Sequence, residues 1–200
     1  KHVSKIDKSA YPLFGDAGTA TALEYSENQV MKFHLATDGS GYDAIIIPDG
    51  GYRNPFTEAS LVFEQIEPGI SRNKLQTILN GMDVFSFGIS KAPQSVNKLL
   101  AYSDVSTEEV DYFTFHQANL FMNEKIRKKL KLSPEKVLYS LKNFGNTSSA
   151  SIPMTMVTEQ KDDLRTKKLK HIACGFGVGL SWGSVYFETD SIVVPELVEI

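Results

Sequence analysis

From Gly81 onward the apolar residues of this 200-residue chain switch repeatedly between helical and strand-like spacing, and that alternation most constrains the fold. Met82, Phe85 and Ile89, then Val96, Leu99 and Leu100, recur at three- and four-residue steps and predict a helix over Gly81–Tyr102. Pro93 lies inside it and is expected to kink or split it, because proline removes one backbone donor and crowds the preceding turn. In "STEEV", Ser106–Val110, Glu109 stands three residues after Ser106, a capping-box spacing that starts at most a short helical turn. A strand at Tyr112–Phe115 follows, then a helix over Asn119–Lys131 with Met122, Ile126 and Leu130 on one face. Val137–Leu141 is strand-like and Ser148–Gln160 helical. Lys170–Ala173, a glycine turn and Leu180–Glu188 form a hairpin. Strands and helices in this order imply an α/β layered domain.

The first eighty residues are less regular. Tyr11–Phe14 and "GDAGTATALEYS" read as two strands around a glycine turn, with Val30–Ala36 placed to pair beside them. Thr37–Pro55 is dense in Gly, Asp, Asn and Pro around one short apolar run, Ala44–Ile47. A loop of that length usually serves a function or covers an interface. Leu61–Ile78 fits either class of element.

Composition bounds the function. A net charge of −3 leaves no basic excess to neutralise phosphates, which argues against nucleic acid as partner. No apolar run reaches the ~20 residues that span a bilayer. The N-terminal "KHVSKIDKSAYPLFG" has neither Met nor the apolar stretch of a signal peptide, as expected of a portion of a larger protein. Cys174 is the only cysteine, so no intrachain disulfide or Cys-based metal cluster can form, and a reducing, cytoplasmic setting fits. The four histidines show no metal-ligand spacing.

Three segments could carry chemistry. His116, in "HQANL", ends an apolar strand and precedes a helix, the position at which open α/β sheets place ligands. It could equally be a core histidine capping that helix. Asn146, in "FGNTSSAS", follows a glycine free to take positive φ, and the small residues beyond it let a helix N-terminus approach a ligand. An ordinary helix N-cap would use the same residue types. In "CGFGVGLSWGS", Cys174–Ser184, alternating glycines permit a tight turn with exposed N–H groups, suited to an oxyanion hole, and a twisted hairpin would use them too. Cys174 itself lies in an apolar run with no Lys, Arg or helix start beside it to lower its thiol pKa, and reads as core. The basic run Lys125, Arg127, Lys128, Lys129 and Lys131 is either a solvated helix face or a docking patch for an acidic partner.

In order, "LFGDAGTA", "DGSGYDA", "NGMDVFSFG", "HQANL", "FGNTSSAS" and "GFGVGLSWGS" run nearly the whole length of the chain. The ordered set resembles the C-terminal portion of the β-ketoacyl-[acyl-carrier-protein] synthase III family of the thiolase superfamily. The resemblance implies that residues 1–200 form the C-terminal half of a thiolase-like layered α/β fold, a mixed sheet covered by helices. It also places the nucleophilic cysteine before the "FGD" motif, outside this chain. His116 and Asn146 match the family's catalytic pair, and the backbone N–H of Val178 its oxyanion donor. Phe176 falls where the acyl pocket is lined, and Lys128 and Lys129 match a pair implicated in docking carrier protein.

The implied reaction is a decarboxylative Claisen condensation of an acyl thioester with malonyl-carrier protein in fatty-acid or related biosynthesis. Coenzyme A thioester enters as substrate, with no cofactor or metal, and the full-length enzyme is a homodimer. The chain alone is expected to be inactive and to expose apolar surface meant for its missing half. The chain departs from the family pattern in several places: "GDAGTA" replaces the commoner "GDGAGA", Val178 stands where many members have glycine, Phe121 stands where an arginine often follows "HQANL", and the "DGSGYDAIIIPDGGYRNP" loop resembles the family's variant branches rather than the housekeeping one. Two other readings use the same residues: acyl transfer to a hydroxyl or amine without decarboxylation, and a non-catalytic half that pairs with another subunit.

Overall fold

The computed structural model describes residues 2–27 and 29–199. A four-stranded mixed sheet organises it. The strands in chain order are β1 (Lys32–Thr37), β2 (Ile45–Ile46), β3 (Glu64–Glu67), β4 (Ile70–Arg72), β5 (Ile78–Leu79), β6 (Tyr112–Phe115), β7 (Lys168–Gly177) and β8 (Ser181–Asp190). The main sheet has the order β1-β8-β7-β6, antiparallel except for the parallel β6–β7 pair. The helices are α1 (Gly81–Ser103), α2 (Leu120–Lys129), α3 (Leu141–Phe144), α4 (Ser151–Glu159) and α5 (Lys161–Thr166).

Side-chain alternation along the strands divides the core. Phe113 and Phe115 of β6, with Ile172 and Cys174 of β7, join Val96 and Leu99 of α1 and Met122 and Ile126 of α2 in the main apolar cluster. Tyr112, Thr114 and His171 take the opposite face: Tyr112 bonds Asp163 of α5 at 2.8 Å, and Thr114 Oγ1 accepts from the Gln160 amide at 2.8 Å. The sheet is therefore covered by α1 and α2 on one side and approached by α4 and α5 on the other, which confirms the layered α/β expectation.

Helix α1 runs unbroken through Pro93. Proline leaves the carbonyl of Ile89 without an intrahelical donor, and Lys129 Nζ donates to it at 3.1 Å. The predicted split is thus replaced by a side-chain hydrogen bond from α2. Only half of the predicted capping box forms: the Ser106 N–H and hydroxyl both donate to the Glu109 carboxylate, at 2.9 and 3.0 Å, with no helix behind them.

Several expectations for local structure fail. Tyr11–Leu13 is a single 3-10 turn, and residues 15–26 have no regular structure, so the two predicted strands there do not form. The expected neighbour β1 does form, but its one partner is β8, from the far end of the chain. Leu23 and Tyr25, whose alternation suggests a strand, are 78% and 86% exposed, with no sheet to bury them. The strand predicted at Val137–Leu141 does not form: Val137 is extended but unpaired, Ser140 is already in the helical region, and Leu141 begins α3. The ambiguous Leu61–Ile78 holds the small β3–β4 hairpin and the start of β5, which pairs β2 at the predicted apolar run Ala44–Ile47. The C-terminal hairpin is longer than its apolar runs suggest, since Gly175 and Gly177 belong to β7 and only Val178–Leu180 turn. On β1, Phe33 and Leu35 face outward and are largely exposed.

Among the described residues no helix is long and apolar enough to cross a membrane.

Candidate active site

His116 is set by the strand that precedes it. Its N–H donates to the Cys174 carbonyl at 2.9 Å, extending the β6–β7 pairing by one residue. Its own carbonyl accepts from Asn123 Nδ2 at 3.1 Å. The next residues of "HQAN" each have a local task. The buried Gln117 amide donates back to the Phe115 carbonyl at 2.8 Å, and Asn119 caps α2 by accepting from Met122 N at 2.8 Å. His116 is therefore not the helix cap, and its ring is left to face the open cleft.

Asn146 is held from the other end of the chain. Its N–H donates to the Leu13 carbonyl at 2.8 Å, and its carbonyl accepts from Gly15 N at 3.0 Å, a short parallel bridge centred on Phe14 and Asn146. The "LFGD" motif thus backs the asparagine loop. Gly145 takes φ 63° and ψ −156°, a region essentially restricted to glycine, and a Cβ there would sit 3.0 Å from the Leu13 carbonyl. At Gly15 a Cβ would fall on the Phe144 carbonyl. In the side chain, Oδ1 accepts from Ser148 N at 2.9 Å, so the NH₂ points the other way, with a long 3.4 Å contact to the Ala118 carbonyl. The cap-like turn predicted for an ordinary asparagine is present, and it orients the amide rather than occupying it.

His116 and Asn146 line one cleft of about 1850 Å³, together with Ser148, Ser151, Phe176 and Val178. Phe176 is buried and packs edge-on against the His116 ring, centroids 5.5 Å apart at 83°. Helix α1 approaches it closely at Gly88, where a Cβ would meet the Met122 sulfur at 2.7 Å and the Phe176 ring at 3.1 Å. Val178 occupies the β7–β8 turn, 65% exposed, and among the described residues its N–H makes no hydrogen bond. The turn is tied to the end of β1 by reciprocal bonds between Asp38 and Leu180 at 2.8 and 3.0 Å. That is the place of "DGSGYDA", whose Asp38 also caps its own 3-10 turn through Ser40.

Burial pushes the His116 imidazole down to about 4, the Ser148 backbone carbonyl pulling the other way, so the ring is neutral at pH 7. Nδ1 lies 2.8 Å from Ser151 Oγ. The site therefore offers neutral donors in a partly enclosed cleft, an arrangement that can stabilise negative charge on an oxygen without supplying a cation.

Lys128 and Lys129 are not in this cleft. Lys128 is 69% exposed on α2, 3.9 Å from Glu124, while Lys129 is engaged by the Ile89 carbonyl. Cys174 is fully buried in β7, and burial raises its thiol to about 12, which leaves almost no thiolate at neutral pH. Among the described residues no cluster of three or more His, Cys, Asp or Glu could hold a metal ion.

Ser151 escaped the sequence reading. It stands inside the quoted "FGNTSSAS", but a serine in the first turn of a helix looks like ordinary helix-start chemistry. Its contact to His116 joins residues 35 positions apart, and no local pattern announces it.

Residues 100–189 match the family described as 3-oxoacyl-[acyl-carrier-protein] synthase III C terminal. A beta-ketoacyl-[acyl-carrier-protein] synthase III of Clostridium acetobutylicum is 36% identical over 180 residues, 90% of this chain and 52% of that protein. One from Prochlorococcus marinus is 35% identical over 193 residues, 94% of this chain and 54% of that protein. The crystal structure of a 3-oxoacyl-(acyl-carrier protein) synthase from Burkholderia xenovorans superposes with a TM-score of 0.88 at 35% identity, covering 98% of this chain and 55% of that one. The chain spans about half the length of the curated relatives it matches.

Proposed function

Since the chain belongs, through residues 100–189, to the 3-oxoacyl-[acyl-carrier-protein] synthase III family, we propose that it supplies the decarboxylating half of a condensing acyltransferase site. Residues 1–200 are then the C-terminal thiolase-like domain, and the nucleophilic cysteine belongs to a segment outside them. The observation that carries this reading is the convergence of His116 and Asn146 in one cleft, both neutral, the amide oxygen of Asn146 already committed to Ser148 N–H.

The chemistry follows from that pairing. An acyl group waits as a thioester on the cysteine. Malonyl-carrier protein enters the cleft, and its carboxylate carbon–carbon bond breaks with loss of carbon dioxide. The electron pair moves toward the thioester oxygen, which becomes an enolate oxygen. His116 and Asn146 donate hydrogen bonds to that oxygen. Two preorganised donors in a partly dry site stabilise it without the reorganisation that water would need. The enolate carbon then attacks the acyl thioester, and the cysteine leaves as thiolate. During that attack the Val178 N–H, free in the structure, serves the oxygen of the tetrahedral intermediate. Phe176 bounds the acyl side of the cleft and fixes the plane of the His116 ring.

Acyl-CoA and acyl carrier protein are the partners of this scheme, with Lys128 on the exposed face of α2 available to an acidic carrier. The whole protein pairs as a homodimer in this reading, and a cytoplasmic setting fits.

The test is product analysis with the protein that carries both parts. Acyl-CoA with malonyl-carrier protein should give a 3-oxoacyl product and one carbon dioxide per turnover. Acyl transfer to an alcohol or amine, with no carbon dioxide released, would replace this reading by the non-decarboxylative one. Absence of any acyl-enzyme would favour a non-catalytic half.

A further inference from the structure

We propose that Ser151 is the positioning residue that sets the tautomer of His116: its hydroxyl donates to Nδ1, so the ring's single hydrogen stays on Nε2, toward the cleft. The argument is one of hydrogen-bond bookkeeping in a dry place. Ser151 is 1% exposed, so water does not serve its hydroxyl. Two groups reach Oγ: the backbone N–H of Gln117 at 3.2 Å and His116 Nδ1 at 2.8 Å. An amide N–H can only donate, so Oγ accepts from Gln117. The hydroxyl hydrogen must then find an acceptor, and among the described residues the only one in reach is Nδ1. If Nδ1 carried the hydrogen instead, Oγ would accept twice and its own hydrogen would be buried without a partner, at a desolvation cost.

The rest of the ring's surroundings agree. The Ser148 backbone also acts on the ring, raising the imidazole pKa against the effect of burial. Nε2 is not among the fully buried unpartnered atoms, and the ring lines the cleft. The 3-10 turn Ser148–Ala150 and the first residue of α4 thus orient both donors of the site: Ser148 N–H donates to the oxygen of Asn146, and Ser151 donates to the bare nitrogen of His116. One turn of chain aims two side chains that come from different elements.

The tautomer assignment stands on this geometry, and its consequence for catalysis rests on the enolate reading above. The two are tested separately. Histidine-labelled protein is studied by long-range proton–nitrogen correlation at pH 7, with His116 identified by the signals that vanish in His116→Gln. The expected pattern is a protonated Nε2 and a bare Nδ1. In Ser151→Ala the His116 signals should shift toward a mixture of tautomers, and Ser151→Thr, which keeps the hydroxyl, should restore the single form. A hydrogen on Nδ1 in the unsubstituted protein overturns the proposal even if Ser151→Ala does not fold. So does a Ser151→Ala protein that folds and keeps the Nε2–H pattern unchanged.

In the protein that carries both parts, Ser151→Ala should slow malonyl decarboxylation by roughly tenfold or more while leaving cysteine acylation nearly unchanged. That is a smaller effect than loss of a donor itself, typically ~10²–10³. If the tautomer behaves as expected but His116→Ala leaves decarboxylation intact, the enolate reading fails and the positioning role of Ser151 stands.

Discussion

Lys129 Nζ donates at 3.1 Å to the Ile89 carbonyl, the one carbonyl of α1 that Pro93 strips of its intrahelical donor. The bond crosses from α2 to α1 and joins the basic run to the proline of α1, two sequence features that look unrelated.

Lys129→Met should therefore cost about 0.5–1.5 kcal/mol of stability, the usual net worth of one hydrogen bond. The effect should shrink when Pro93→Ala is added, because alanine returns an N–H to the Ile89 carbonyl. A double-mutant cycle by urea unfolding measures the coupling. Additive costs would mean the lysine contributes nothing at that carbonyl.

The two lysines should then separate in a docking experiment. Lys128 is exposed, with only a loose 3.9 Å pair to Glu124, so Lys128→Glu should raise the apparent KM for carrier-bound substrate severalfold at low ionic strength and cost about 0.5 kcal/mol of stability or less. The same substrate on CoA should be little affected. Equal kinetics with both substrates would leave Lys128 as a solvated face.

Burial lowers His116 and His171 each to about 4, from the ordinary imidazole value of about 6.5. Between those values the unfolded chain takes up protons that the folded chain refuses, so stability is intact above about pH 6.5 and falls as pH drops toward 4. Each imidazole accounts for up to roughly 3 kcal/mol of that loss. Urea midpoints from pH 7.5 to 4 should show the decline, and His171→Gln should flatten it. A flat profile over that window would mean the rings titrate normally.

Cys174 should resist thiol reagents in the folded protein and react fully in denaturant, because its thiol is buried and its pKa is pushed up to about 12. Labelled acyl-CoA should leave it unacylated. Stable thioester at Cys174 would give the chain its own nucleophile and contradict the account.

The layers of the fold were legible wherever apolar period and burial agree, as in α1, β6 and α2. The failures have a common physical cause. Leu23 and Tyr25 alternate as a strand does, yet strand pairing is a long-range matter, and within the described residues nothing pairs with them. Val137–Leu141 likewise has the composition of a strand, but it finds no partner and its end turns into α3. At the site, His116 and Asn146 stood out because each sits between an apolar run and a glycine- or polar-rich turn. Ser151, Gly15 and the Asp38–Leu180 tie did not, because each acts on a residue more than thirty positions away. Motifs mark where chemistry sits; the residues that aim it are found only when the chain is folded.

The most direct measurement separates the two half-reactions in the protein that carries both parts, using His116→Ala and Asn146→Ala. Carbon dioxide release from malonyl-carrier protein is followed beside acylation of the cysteine by acyl-CoA. The account predicts that each substitution slows decarboxylation by roughly 10²–10³, the size expected for one oxyanion donor, while acylation falls far less, since its oxyanion is held by backbone N–H groups. Equal losses in both half-reactions, or unchanged carbon dioxide release, would contradict it.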